Sequence, residues 1–371
     1  MTTTPDTTTP DPASAPTSGP ELGIFLPIGN GGWIMSETAP HPQATYEYNR
    51  TAAVLAEDAG LDFIMSMGKW RGYGGTTDHW GRTLESVSMM SGLAEATSRV
   101  KIWATIHTNL FNPAIAAKMY TTMQQISGGR AGMNIVVGAY AQEFSQMGLW
   151  DENFDHAARY RYTEEWTSVL ERLWSEDSVT HHGEFFDLED CQSRPHPEVR
   201  PTLISAGRST AGVEFQARHC DGSFLTADDL PGLRTVSDQV KAAAAAQGRS
   251  IKTYSMCTVV LGDTDAEAEA RRREYGRGAD IEAIVNMKTS WGLPLDKAMS
   301  MTAAAPEDEA FQTAVVHGSP ETVAERITEL VEETGIDGLM MIFPDYHADL
   351  PVFGETVLPL LRPASVLEGV S

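Results

Sequence analysis

Residues 319–343 read SPETVAERITELVEETGIDGLMMIF. Ser319 is a favoured N-cap residue, Pro320 takes the first helical position and Glu321 adds an early acid. Val323, Ile327, Leu330 and Val331 then fall on one face of a helix. Gly335 stands where a left-handed cap belongs. Gly338 to Phe343 is an apolar run without alternation, the pattern of a strand buried on both faces. The segment predicts one helix followed by one strand of a parallel sheet.

Working outward, the same unit recurs. Apolar runs at Leu22–Leu26, Leu61–Met65, Val100–Ala104, Gly132–Val137, Thr202–Ala206, Ser223–Thr226 and Tyr254–Leu261 predict seven further strands. Between them lie amphipathic stretches: Thr45–Ala59, Pro113–Ile126, His156–Trp174, Ser209–His219 and Pro231–Ala246. Eight buried strands separated by helices favour a closed (β/α)8 TIM barrel with insertions over an open doubly wound sheet. The expected organisation is one barrel domain over 21–371, with an insertion at about 274–317. Gly138–Asp155 and Glu274–His317 are too long for simple connections, and the second holds Met287, Trp291, Met299 and Met301. Both are expected to be lids or binding loops at the C-terminal ends of the strands.

Composition narrows the function. Of 371 residues, 27 are Lys or Arg and 51 are Asp or Glu, for a formal net charge of −24. That argues against nucleic acid and against an anionic membrane surface. Three cysteines are too few for a disulfide framework or a zinc site, and a reducing cytoplasm is the default. Met1 to Pro20 is almost all Thr, Pro, Ser, Asp, Ala and Gly, with neither a basic nor an apolar segment, so it is expected to be a disordered tail and no signal peptide. No run of about 18 apolar residues exists to cross a membrane.

The familiar motifs of metalloproteases, P-loops and nucleophile elbows are missing. Gly72-Tyr73-Gly74-Gly75 does not join a strand to a helix as a dinucleotide fingerprint must. His181 and His182 are neighbours and are expected at the surface, with no metal. Difficult chemistry would then fall to an organic cofactor. Asn134 is the most informative residue: a buried amide in an apolar strand needs partners, either nearby backbone or a ligand in the barrel mouth. Thr105 is expected to close the third strand, either as a β-favouring strand end or as a hydroxyl at that mouth. Glu143 follows the fourth strand, as a solvated loop acid or a site group. Arg159 and Tyr160 open the next helix, and Arg suits a phosphate, although an ordinary helix-surface pair remains open. Ser209 is an N-cap in either case, at a helix end that favours anions.

The blocks FLPIGNGGWIMS (25–36), MSMGKWRGYGG (65–75), ISGGRAGMNIVVG (126–138) and ISAGRSTAG (204–212), with Arg159-Tyr160, carry a resemblance. The sequence resembles the bacterial-luciferase-like superfamily of flavin-dependent barrels, and within it the pyrimidine monooxygenases of uracil degradation, from about Leu22 to Thr226. The resemblance implies a reduced-FMN- and O2-dependent monooxygenase, with reduced FMN supplied by a separate flavin reductase. It puts FMN contacts at Gly68, Lys69, Asn134, Glu143, Arg159, Tyr160 and Ser209, and dioxygen against Thr105 and Asn134. Members often form homo-oligomers.

Pyrimidine-specific members carry Trp directly after the glycine that closes the fourth strand. Here Ala139 and Tyr140 follow Gly138. That opens the expected substrate pocket, and the region past about Asp228 is expected to depart as well. A small nitrogen heterocycle cleaved at a C–N bond remains the substrate class. Riboflavin, as in the related riboflavin lyases that yield lumichrome, is expected first and uracil or thymine second. A deazaflavin-dependent oxidoreductase and a flavin-storage protein are the rival readings.

Overall fold

The computed structural model describes residues 19–138, 140–152 and 154–362. Ala139 and most of the tail expected at 1–20 lie outside them. Eleven strands are present among the described residues: β1 Glu21–Leu26, β2 Phe63–Ser66, β3 Lys101–His107, β4 Ala131–Val136, β5 Val179–His182, β6 Asp187–Cys191, β7 Thr202–Ala206, β8 Gly222–Phe224, β9 Lys252–Leu261, β10 Ala314–Gly318 and β11 Gly338–Ile342. Eight form a closed parallel ring in the order β1-β2-β3-β4-β7-β8-β9-β11, with β11 returning to β1. This is the (β/α)8 barrel read from the apolar runs.

The helices end where the chemistry demands. The helix Pro113–Ser127 starts on Asn112, whose side chain accepts from the Ala114 N–H, and stops at Gly128 with φ +63°. Pro320–Thr334 starts on Ser319 and stops at Gly335, also at φ +63°. Past Gly128, the Arg130 guanidinium donates to the carbonyls of Ala94, Thr97, Val100 and Ser127, pinning the turn under the barrel.

Aromatic rings fill the barrel floor. Phe63 on β2 stacks on Trp103 of β3 at 4.2 Å, and both reach Phe224 on β8 and Tyr254 on β9. Contacts between strands so far apart in the ring place these side chains inside it. Two glycines make room: a Cβ at Gly23 or at Gly132 would lie 2.4 Å from Phe63 or Trp103. Side chains on a strand alternate. Thr105 and His107, two and four residues beyond Trp103, therefore point inward above this plug. Asn134 follows from Gly132 in the same way.

Several features differ from the sequence reading. The third strand runs on to His107, so Thr105 lies within it and does not close it. A strand tolerates inward polar groups where it reaches the barrel mouth. A helix at Ser86–Ala96, the antiparallel hairpin β5–β6 and the added strand β10, paired to the far half of β9, were not expected. The stretch 274–317 is no structureless loop. The helix Asp265–Arg277 extends into it, and the helices Ile281–Ser290, Leu295–Ala304 and Pro306–Glu309 follow before β10. This insertion clasps the loop after β2: the Asp280 carboxylate accepts from the Thr77 N–H and hydroxyl at 2.7 Å each, and Asn286 donates to the Tyr73 carbonyl. Met287 is buried, but Trp291, Met299 and Met301 are exposed, so they do not form an enclosed wall. No described helix is long and apolar enough to cross a membrane.

Candidate active site

The barrel mouth is built at the ends of four consecutive strands, β2, β3, β4 and β7. Thr105 and Asn134 are register partners on β3 and β4. Both are nearly inaccessible, at 5% and 7% exposure. The Thr105 hydroxyl donates to the Ser66 carbonyl on β2, and its oxygen accepts from Asn134 Nδ2 at 2.9 Å. Behind them, the Thr105 N–H donates to Ser86 Oγ, which also contacts Ser66 Oγ at 2.7 Å. Because the hydroxyl proton is committed to Ser66, the amide nitrogen of Asn134 must face Thr105. Its Oδ1 is thereby turned away, buried and without a hydrogen-bond partner among the described residues. An unmet buried acceptor costs about 1–3 kcal/mol, a cost that a ligand donor would remove.

A charged cluster stands beside this pair. Lys69 lies in the loop after β2 and Glu143 on the short helix Ala141–Ser145 after β4. Lys69 Nζ is 3.7 Å from Glu143 Oε1, with both side chains under a tenth exposed. Glu143 also accepts from the Trp70 N–H at 2.5 Å. It is therefore a buried structural acid and not a solvated loop residue. The ammonium sits 4.4 Å from the ring centroids of both Tyr73 and Tyr140, a double cation–π contact. Burial pushes the Lys69 pKa down to about 8, against the opposing pull of Glu143. Tyr140 donates to Gln142, and burial raises its pKa.

A third group lies at the end of β7. Ser209 caps the helix Thr210–His219 by accepting from the Gly212 N–H at 3.1 Å. The Tyr160 hydroxyl fills the space that side chains at 207 and 212 would need, since a Cβ at either glycine would lie 2.8 Å from it. Tyr160 and Ser209 are thus brought to one helix N-terminus. Arg159 turns elsewhere: it donates to the Phe154 carbonyl at 2.9 Å and lies 5.5 Å from the Trp150 ring.

Gly68 lies against β3, where its Cβ would come within 3.0 Å of Thr105 and His107. His181 pairs with Glu165, and His182 with Asp187 on the exposed hairpin. Sequence reasoning missed His107. It is 5% exposed and lines a small recess with Gly68, Lys69, Trp70 and Thr105. The signal was present: the alternation Trp103, Thr105, His107 runs past the point where the apolar run ended.

The orphaned Asn134 Oδ1, the buried lysine among tyrosines and the helix N-terminus at Ser209 suit a large heterocycle carrying a phosphate. This fold and this mouth are those a flavin-dependent oxygenase barrel would need. The chain belongs to the luciferase-like monooxygenase family, whose model matches residues 21–338, and is a flavin-dependent monooxygenase. Pyrimidine monooxygenase RutA of Acinetobacter baylyi is 37% identical over 348 residues, covering 92% of this chain and 94% of the relative. The enzyme of the same name from Methylorubrum extorquens is 38% identical over 354 residues, covering 92% and 96%. The likeness therefore extends well past Thr226, and the expected departure beyond Asp228 does not end it. Among solved structures, riboflavin lyase (RcaE) superimposes with a TM-score of 0.82 at 22% identity, covering 94% of this chain and 92% of the other. Long-chain alkane monooxygenase (LadA) superimposes with 0.83 at 20%. Likenesses this remote speak for the fold alone.

Proposed function

We propose that the protein is the oxygenating component of a two-component system. It uses reduced FMN from a separate flavin reductase, together with O2, to cleave a carbon–nitrogen bond in a nitrogen heterocycle. Reduced FMN, when bound, would supply the two electrons that bring O2 to the peroxide level: at the ribityl carbon of riboflavin one oxygen atom would enter the pentose product and the other leave as water, whereas at a pyrimidine carbonyl carbon, already at the acid level, both atoms would enter a ring-opened peracid. The observation that carries the reading is the Thr105–Asn134 pair with its unmet Oδ1, fixed above a closed aromatic floor. Thr105 and Asn134 orient dioxygen. Gly68, Lys69 and Glu143 line the cofactor's place, and Tyr160 and Ser209 hold its phosphate, which Arg159 joins on releasing the Phe154 carbonyl. The aromatic floor excludes water from below.

The order of substrates is the reverse of the one expected from Ala139 alone. Relatives matching over nine-tenths of the chain carry the name pyrimidine monooxygenase, which supports a pyrimidine first. Riboflavin is the second reading, favoured by the small Ala139 beside Tyr140. The test is aerobic turnover with 18O-labelled O2, NADH and a flavin reductase on uracil, thymine and riboflavin. Mass spectrometry should find O2-derived label in a ring-opened pyrimidine, or lumichrome with one labelled oxygen in the released pentose from riboflavin. Reductase-dependent oxygen consumption with no heterocycle product from the panel would reject this substrate class, and turnover without O2 would favour deazaflavin chemistry.

A further inference from the structure

We propose that His107 is a specificity-determining residue that hydrogen-bonds the amide N–H/C=O edge of the bound heterocycle. The inference rests on the proposed function, since it names the group of that mouth which reads the substrate.

Thr105 and His107 are successive inward positions on β3, so the imidazole stands one pleat nearer the mouth than the Thr105–Asn134 pair. Its orientation is set by packing. Phe144 meets the ring edge-on at 5.4 Å, and the Cε1–Nδ1 edge lies against Gly68, where a Cβ would come within 3.0 Å of Cε1 and 3.2 Å of Nδ1. Neither ring nitrogen makes a hydrogen bond among the described residues, although the residue is 95% buried. Burial, and secondarily the Lys69 ammonium, hold its pKa down to about 4. The ring is therefore neutral at ordinary pH and offers one N–H and one lone pair.

A buried imidazole with a nitrogen unspent matches one member of a ligand edge that carries a donor beside an acceptor: its lone pair accepts from a ligand N–H, or its N–H donates to a ligand C=O. The indole N–H of Trp70, which lines the same recess, is likewise buried without a partner among the described residues. Alkane or thioether substrates would leave these groups unsatisfied, at about 1–3 kcal/mol each. The N–H/C=O edge is common to uracil and to the pyrimidine ring of riboflavin, so the experiment has an arm for each.

Calorimetric titration of the FMN-loaded protein compares uracil with 1,3-dimethyluracil, and riboflavin with 3-methylriboflavin. The wild type and the His107→Phe and His107→Asn variants are used, with KM, kcat and product formed per O2 consumed measured alongside. Phe keeps the ring against Phe144 and removes both nitrogens. The expected result is a rise of tenfold or more in Kd and KM for one unmethylated ligand in His107→Phe, and a fall in product per O2. kcat should change less than threefold and FMN affinity less than twofold. Asn should recover part of the loss, and N-methylation should weaken binding to the wild type but not to the Phe variant. If the Phe variant fails to fold, the Asn variant and the methylated ligands decide. Unchanged ligand affinity, a loss of FMN affinity in its place, or wild-type indifference to N-methylation overturns the proposal. Labelled-oxygen product from a wild type indifferent to methylation would leave the oxygenase reading standing and remove only the role of His107.

Discussion

Replacing Glu143 by Gln gives a stability loss whose dependence on pH can be worked out beforehand. Lys69 and Glu143 are both buried and 3.7 Å apart. Breaking a buried ion pair usually costs about 3–5 kcal/mol, because one charge is left stranded. Here the stranded group has an escape, since Lys69 already titrates at about 8. At pH 7 the ammonium can shed its proton for ~1.4 kcal/mol, one pH unit's worth. Gln keeps an acceptor for the Trp70 N–H, so this neutralisation caps most of the loss. The cap rises to about 3 kcal/mol at pH 6 and falls to nearly zero at pH 9, where the wild-type lysine is itself mostly neutral. The sign follows from linkage. The folded pKa lies below the ordinary 10.5, so the unfolded chain binds more protons between about pH 8 and pH 10.5, and wild-type stability rises with pH across that window. Urea unfolding of both proteins at pH 6, 7 and 9, without flavin, measures the difference. A loss that stays constant across the three pH values, or grows toward pH 9, refutes the reasoning.

Three further outcomes are expected. His219 bridges Glu164 and Glu171 at 2.8 and 2.9 Å. Burial opposes its charge, but the two carboxylates outweigh it and raise the pKa from 6.5 to about 9. Its contribution is complete below pH 6.5 and lost as pH rises through 9. His219→Gln should therefore cost about 2–3 kcal/mol at pH 6 and little at pH 10, and equal denaturation midpoints of the two proteins at pH 6 would count against it. Gly132→Ala drives a Cβ to 2.4 Å from the Trp103 ring. It should destabilise by about 3 kcal/mol or more, and an unchanged thermal midpoint would show that the floor can yield. Asn134→Ala removes one hydrogen bond and one unmet acceptor together, so stability should move by less than about 1 kcal/mol. Product formation should fall about 100-fold, and retained turnover would remove Asn134 from the chemistry.

The barrel strands were legible because both of their faces are buried, which leaves little room for polar residues. The Leu22–Leu26 run and the Gly338–Phe343 run end within one residue of β1 and β11. The same rule explains the failures. The hairpin β5–β6 carries Val179 and Leu188 as its only fully buried positions, so Val179–His182 and Asp187–Cys191 show no apolar run. β10 borders the barrel and does not close it, and its burial is correspondingly mixed. The candidate site fails the rule for a physical reason: strand ends at the mouth exchange apolar side chains for polar ones, so the strand signal fades just where function begins. Ala104 ended the third run, yet Thr105 and His107 continue the inward alternation of Trp103 for another full pleat. Which polar residue meets which, such as Lys69 with Glu143 across 74 positions of sequence, was not legible: the family resemblance implied a cofactor contact for each but did not set them against each other. A single chain records the alternation along each strand but not the register between strands. The Thr105–Asn134 bond is a consequence of that register, and it leaves the one amide oxygen on which the proposed chemistry turns.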